Sequence, residues 1–305
     1  MKEAINFAGP VVKIVDSPIP EPNDDQVLIK VIVSGSNPKD WKIPDIAAAG
    51  DSSMAIVTGY GLDLAMFQAV KAGLNQGDDI AGIVEKVGSN VFEFKPGDRV
   101  AAFHEMCTPG GSYAEYAISW SHTTFHLPNH ISFEAVGSYA IKLACNSNVH
   151  PIIAVAGKGS HYVESLIDRS KGDTIVDYPG HTSVWHAIDA AIVPQSAEVL
   201  RRVVAPGGQI DFILPNDFDV APATKSVTSV GSVHNQPEFE NNEELGYVFS
   251  RYISRALQNG GLSGHPFEIR PGGLEGVEEA LRDLKDGRAS AMKYDFRIAD
   301  TPGVE

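Results

Sequence analysis

Two cysteines in 305 residues are too few for a disulfide framework and cannot supply the four thiolates of a structural zinc cluster, so a reducing compartment is expected. Long apolar runs are missing as well. The opening stretch MKEAINFAGPVVKIVD has no extended hydrophobic core, and the segment from Ile43 to Leu74 is interrupted by Asp45, Asp51, Asp63 and Lys71. Both features argue against a leader or a membrane span. Positive charge is scarce: 24 Lys and Arg face 39 Asp and Glu, a net charge of −15, and such a surface repels a polyanion. Nucleic acid and anionic membranes are therefore not expected as partners, and a cytoplasmic protein is. No GxSxG motif is present, which leaves nucleophile-elbow hydrolase chemistry without support.

What is present is ordinary globular composition, 43% hydrophobic and 21% charged, in a chain long enough for two domains with cores of their own. The first stretch carries VLIKVIVSG, DIAGIVEKVG, DRVAAFH and GSYAEYAIS. These are short Val- and Ile-rich runs separated by turn signals such as KPGD and TPGG, the pattern of a compact β-barrel-like domain. From about residue 134 to 262 strands and helices alternate: HPIIAVAG, SHYVESLID, DTIVDY, VWHAIDAA, SAEVLRRVV, GGQIDFILP and TSVGSVH. Alternation of this kind predicts a parallel, doubly wound sheet. The end of the chain spaces Leu274, Val277, Ala280, Leu281 and Leu284 as one helix face and closes with a strand that returns to the first domain. The expected domains are residues 1–133 plus 263–305, and 134–262. No internal repeat or low-complexity tract interrupts them.

The stretch ISFEAVGSYAIKLACNSNVHPIIAVAGKGS begins in an unexpected place. A dinucleotide-binding unit starts with a strand, runs through a glycine-rich turn and enters a helix whose N-terminus faces the pyrophosphate. Here only ISFEA precedes the helix, and Val136 and Gly137 read as the tail of a turn without its front. Two neighbours, HPIIAVAG and VWHAIDAA, must then either pair with each other or leave a gap where a strand would lie.

SGSNPKDWK, NQGDDIAGIVEKVGSNVFEFKPGDRVAAFHE and GGSYAEYAI, in that order, resemble the N-terminal domain of the medium-chain dehydrogenase/reductase superfamily. HPIIAVAGKGS, IVDY, APGGQIDFILP, TSVGSVH and GGLEGVEEALRDLKDGRASAMKY are similar to its zinc-independent branch, the quinone oxidoreductases and fungal trans-acting enoyl reductases. The resemblance implies an α/β plus β fold: a GroES-like barrel-type catalytic domain and a Rossmann-like parallel-sheet domain, here lacking the first strand and glycine turn. It also implies that IAAAGDSSMAIVTGYGLDLAMFQAVKAGL, longer than the corresponding segment of relatives, lies where the substrate-pocket loop would be.

For zinc, relatives that use it need a His followed by Glu where this chain has Asp78 and Asp79, so no metal site is expected; His104, Glu105 and Cys107 offer an alternative ligand set, but His104 reads as the end of a strand. His122 and His126 are four apart on what reads as strand or loop, and are taken as structural. For cofactor, Gly157, Lys158 and Ser160 in AGKGS follow a predicted strand, and a cation with a hydroxyl there suits the 2′-phosphate of NADPH; a solvated turn with an N-cap at Ser160 is the plain alternative. The resemblance adds Gly137, Tyr178, Gly231, Ser290 and Lys293 as cofactor contacts. It implies Asn37 and Lys42 as catalytic residues lining the cleft, and Tyr60 as a proton donor, although Asn before Pro is also a turn former and Lys42 and Lys293 read equally as surface lysines. The implied function is NADPH-dependent reduction of an activated C=C bond in an enoyl thioester, enone or quinone, in polyketide-type secondary metabolism. Its substrate would be a small molecule or an acyl-carrier-bound chain, and its partner a polyketide synthase. The alternatives are a non-redox member (isomerase, cyclase or synthase-binding partner) and an inactive degenerate product.

Overall fold

The computed structural model describes residues 1–49, 64–133, 140–177, 183–213, 216–228, 230–234 and 242–304. The chain opens with a hairpin, β1 (Lys2–Phe7) and β2 (Val11–Asp16), then β3 (Gln26–Gly35), α1 (Lys39–Ala49) and α2 (Leu64–Ala72). Strands β4 (Asp79–Val87), β5 (Arg99–Phe103), β6 (Tyr116–Trp120) and β7 (Thr124–His126) follow. After them come α3 (Ala140–Asn146), β8 (Ile153–Ala154), α4 (Ser160–Glu164), β9 (Thr174–Ile175), β10 (Val184–Asp189), α5 (Pro194–Val203), β11 (Val204–Phe212) and β12 (Thr224–Val227). The chain ends with α6 (Glu243–Gln258), β13 (Phe267–Ile269), α7 (Val277–Lys285) and β14 (Lys293–Arg297). No described helix is long and apolar enough to cross a membrane.

The first of two compact units takes the described residues of 1–52, 62–138 and 231–305. Its seven-stranded sheet has the order β13-β14-β3-β4-β5-β7, with β6 also paired to β3. Strand β3 is the hub, antiparallel to β14, β4 and β6. The close approach of β4 to β3 depends on Gly82, where a Cβ would strike the Lys30 carbonyl oxygen. Beneath the sheet lies a core of Ile29, Val31, Ile80, Val100, Tyr113 and Phe296, capped by Leu274, Val277, Ala280 and Leu281, all fully buried. Leu274 lies in the 3₁₀ turn Gly273–Gly276 that leads into the helix, and Val277, Ala280 and Leu281 form the helix stripe that faces the sheet while Glu279 and Arg282 face out. Burial of each large side chain contributes about 1.5–3 kcal/mol.

The boundary between units differs from the one read in the sequence. Residues 231–262 belong with the first unit, because α6 is bonded to the barrel strands. Ser250 Oγ donates to the His122 carbonyl at 2.9 Å and Ser254 Oγ to that of His126 at 2.9 Å. Arg251 Nη1 reaches the Thr124 carbonyl at 3.1 Å, and Arg251 also pairs with Glu93. A second difference lies just before it: TSVGSVH was read as a strand, but the strand is Thr224–Val227 and Gly231 lies in a 3₁₀ turn, Val230–Val233.

The second unit takes the described residues of 139–230 and holds two separate parallel sheets, β8-β9 and β10-β11-β12. Among the described residues β8 and β10 do not pair, so the gap is the alternative that is realised. Strand β8 keeps only Ile153 and Ala154 of a longer apolar run, as a strand does when one flank has no partner to satisfy its backbone. The core of this unit centres on β11, where Ile210 and Phe212 are fully buried, whereas Trp185 and Ile188 of β10 are 63% and 65% exposed. With few buried apolar contacts, this unit should open first. Limited proteolysis is expected to cut within residues 139–230 before any cut in the barrel strands; early fragments ending inside β3 or β4 would contradict this.

Candidate functional site

At the C-terminal end of β3 the chain turns through Ser36, Asn37 and Pro38 into α1. The turn is closed reciprocally: the Asp40 N–H donates to the Asn37 carbonyl at 3.0 Å and the Asn37 N–H donates to Asp40 Oδ2 at 2.7 Å. A residue three positions into a helix that reaches back to the preceding backbone is a capping arrangement, and Pro38 suits the first turn because it has no N–H to leave unpaired. The turn orients Asn37. Its Oδ1 accepts from Lys293 Nζ at 3.3 Å, and the same ammonium bonds the Asp79 carboxylate.

Lys293 and Asp79 sit on strands either side of β3, with Gly35 paired to Asp79 on one flank and to Asp295 on the other. To reach Asp79 the lysine must cross β3, and it crosses at Gly35, where a Cβ would collide with Lys293 Cε. Its side chain is only 12% exposed. Burial works against the charged ammonium, but Asp79 outweighs it, so the Lys293 pKa is held above its ordinary value.

Behind this pair is a second, deeper one. Lys39 Nζ lies 2.8 Å from Asp40 Oδ1, 2.7 Å from Asp78 Oδ2 and 2.6 Å from the Gln76 carbonyl, and the Tyr113 hydroxyl donates to Asp40 Oδ2 at 2.6 Å. Asp40 and Asp78 are essentially inaccessible. Three carboxylates, Asp40, Asp78 and Asp79, thus share two ammonium groups, and the buried Asp295 carboxylate also acts on Lys293. Burial pushes both Asp40 and Asp78 up; Asp78 reaches about 7, chiefly by burial and secondarily by Asp40 and Asp79, with Lys39 opposing. Cys107 is buried beside Lys39 and its thiol is pushed up to about 12 by burial, which keeps it protonated and poorly nucleophilic.

His104, Glu105 and Cys107 do not converge. The His104 ring nitrogens face the carbonyls of Ile118 at 2.6 Å and Thr108 at 3.1 Å, and Glu105 accepts from Trp120 Nε1 at 2.8 Å. His122 contacts the Val233 carbonyl at 2.9 Å and His126 that of Glu93 at 3.1 Å, both within the barrel unit.

Of the residues singled out in the sequence, the structure brings Asn37 and Lys293 together. Lys42 lies on α1 with its ammonium 5.8 Å from the Trp41 ring centroid and is not bonded to that pair. Ser290 is exposed in the turn before β14. Gly157, Lys158 and Ser160 are exposed where the 3₁₀ turn Gly157–Gly159 follows β8 and leads into α4, and Gly231 is buried in its own turn. Tyr60, Gly137 and Tyr178 lie outside the described residues. Lys39, Asp40 and Asp79 were not foreseen in these roles: GDDIAG was read only for its lack of zinc ligands, and Asp79 meets its lysine across 214 positions of sequence.

Residues 23–129 match the alcohol dehydrogenase GroES-like domain. The chain is 38% identical to trans-enoyl reductase fsr4 of Gibberella fujikuroi, over 90% of this chain and 92% of that protein. It is 30% identical to trans-enoyl reductase resD of Aspergillus sclerotiorum, over 95% of this chain and 98% of that one. The fsr4 alignment spans 338 positions, more than the 305 residues available, so it opens gaps in this chain. Among solved structures, an alcohol dehydrogenase superfamily protein from Novosphingobium aromaticivorans has the same fold, with a TM-score of 0.70 at 17% identity over 97% of this chain and 99% of that one.

Two outcomes are expected. Gly35→Ala should cost about 1–3 kcal/mol through overpacking, and most of that cost should vanish in a Lys293→Ala background; equal costs in both backgrounds would mean the lysine does not cross there. The second concerns pH. The Asp78 pKa in the folded protein lies above the value of about 3.9 for an unfolded aspartate, so the folded state holds the extra proton and stability falls as pH rises from about 4 to about 7. Asp78→Asn is expected to flatten the fall in melting temperature across that window, and an unchanged slope would assign the titration elsewhere.

Proposed function

Because the chain belongs to the medium-chain dehydrogenase/reductase superfamily, in the branch of trans-enoyl reductases and quinone oxidoreductases, we propose that it is an NADPH-dependent reductase of an activated C=C bond. The substrate class is an enoyl thioester, enone or quinone, presented as a small molecule or on an acyl carrier, with a polyketide synthase as the partner. The observation that carries this reading is the Asn37–Lys293–Asp79 arrangement at the end of β3.

When bound, the nicotinamide supplies a hydride to the β-carbon of the substrate, and negative charge then develops on the substrate carbonyl oxygen. The protein's task is to stabilise that oxygen with donors already in place. An ammonium has only donors, so Lys293 must face the carbonyl end of the Asn37 amide; the Asn37 NH₂ is left to donate outward. Asn37 and the Lys293 charge behind it form the donor pair, and Asp79 fixes the lysine. At the nucleotide end, Lys158 and Ser160 offer an exposed cation and hydroxyl after β8, which fits a 2′-phosphate. Tyr178 is proposed beside them from the family pattern, with Gly137, Gly157, Gly231 and Ser290 as further cofactor contacts, and Lys42 and Tyr60 as cleft residues.

One observation favours a second reading, a family member that keeps the substrate cleft without redox chemistry. The sheet of the second unit is split at the position of the strand that would carry the glycine turn, and each lost charge-assisted bond to the pyrophosphate is worth about 1.5–3 kcal/mol.

Calorimetric titration with NADPH and NADH separates the two. The reductase reading expects binding of NADPH in preference to NADH, loss of most of that preference in Lys158→Ala, and NADPH consumption with an enoyl thioester. Absence of binding to either nucleotide would overturn the reductase reading and leave the non-redox member and the inactive product.

A further inference from the structure

The two arms of the donor pair come from different strands, Asn37 from the end of β3 and Lys293 from the start of β14, and one side chain touches the supports of both. Tyr113 lies in the loop before β6 and is fully buried. Its hydroxyl donates to Asp40 Oδ2 at 2.6 Å, and the same oxygen accepts the Asn37 N–H at 2.7 Å. Its ring meets Phe296 of β14 edge-on, with centroids 5.5 Å apart and planes at 84°.

The residue is held at its backbone and at its ring. Its N–H donates to Asn75 Oδ1 at 3.3 Å, its carbonyl accepts from the Ala4 N–H at 2.8 Å, and the hydroxyl of its neighbour Ser112 bonds that of Ser34 on β3 at 2.6 Å. The ring packs on the backbone of Gly77, where a Cβ would come within 2.8 Å of it. A phenylalanine would fill the same apolar space without the cost of burying a hydroxyl, so what the tyrosine adds is its bond to Asp40. We propose that Tyr113 is a positioning residue for the reduction: it keeps the Asp40 carboxylate turned toward Asn37 and thereby fixes the Asn37 amide opposite Lys293. The inference rests on the reading of Asn37 and Lys293 as the donor pair.

Asp40 needs such a hold because its carboxylate is contested. Lys39 Nζ lies 2.8 Å from Oδ1, and in a buried site of low dielectric that attraction is strong. With the ammonium on Oδ1 and two donors on Oδ2, both oxygens are engaged and the carboxylate plane is fixed. Without the hydroxyl, Oδ2 keeps only the Asn37 N–H, the carboxylate is free to turn toward Lys39, and the turn into α1 loses the acceptor that closes it. Asn37 then no longer keeps its 3.3 Å contact with Lys293, and a misplaced donor stabilises a developing oxyanion poorly. Protonation of Asp40 acts in the same direction: burial pushes its carboxyl up against the opposing effects of Lys39, Tyr113 and Asn37, so removing the Tyr113 bond favours the neutral acid.

The test compares Tyr113→Phe with Val100→Ala, which cuts the same core without touching Asp40. Two quantities are read in each intact variant: hydrogen exchange at the Asn37 amide, and turnover of NADPH with crotonyl-coenzyme A and 1,4-naphthoquinone as probes. Tyr113→Phe is expected to speed Asn37 exchange about tenfold or more and to lower kcat about tenfold to a hundredfold, with the KM for NADPH unchanged. Val100→Ala should lower the melting temperature at least as much and leave both readouts near the parent. Unchanged Asn37 exchange in Tyr113→Phe, equal acceleration in Val100→Ala, or a kcat that survives the loss of the hydroxyl would overturn the proposal. A parent that turns over neither probe counts against the reductase reading alone, and the exchange comparison still decides whether Tyr113 holds Asn37.

Discussion

Lys293 can reach Asp79 only because the residue between them, Gly35, has no side chain. That constraint organises the site. Strand β3 pairs with three neighbours, and its end is where β14 and β4 come within reach of one lysine. With Gly35 in place, a cation from the end of the chain neutralises a carboxylate near its beginning, and the same ammonium donates to the Asn37 amide oxygen. The turn into α1 fixes Asn37 from the other side through Asp40.

The deeper cluster explains why this arrangement is specific rather than merely stabilising. Burying charges costs several kcal/mol per ion even when they are paired, and apolar replacements of similar shape are often no less stable. Lys39, Asp40 and Asp78 nevertheless lie in the barrel interior, with Tyr113 bonded to Asp40. Their effect is electrostatic: Asp79 is the main group that holds Lys293 charged, while the deeper cluster retains a proton near neutrality on Asp78. The unit that carries this cluster has the larger core. The second unit has two small sheets and exposes Trp185 and Ile188, so the two units differ in how firmly their residues are held.

Relatives of nearly full coverage align over more positions than this chain has residues, and among the described residues the strands of the second unit fall into two sheets. Strands β8 and β9 form one sheet and β10, β11 and β12 another. The family model matches residues 23–129, the stretch that holds the antiparallel strands β3 to β7.

Periodicity and turn residues determined much from sequence alone. The Val- and Ile-rich runs between glycine and proline turns marked the barrel strands, the alternation after residue 134 marked the α/β unit, and Val277, Ala280 and Leu281 marked the inward face of α7. The sequence also posed the choice between pairing and a gap for HPIIAVAG and VWHAIDAA. It could not decide that choice, because strand pairing is a non-local contact. Nor could it show that Lys293 rather than Lys42 lies beside Asn37, that Asp79 holds it, or that α6 packs on the barrel through Ser250 and Arg251. Local pattern specifies which face of an element is apolar; which distant side chain meets it is decided by the register of strands far apart in the chain, and that is set only when the whole sheet has formed.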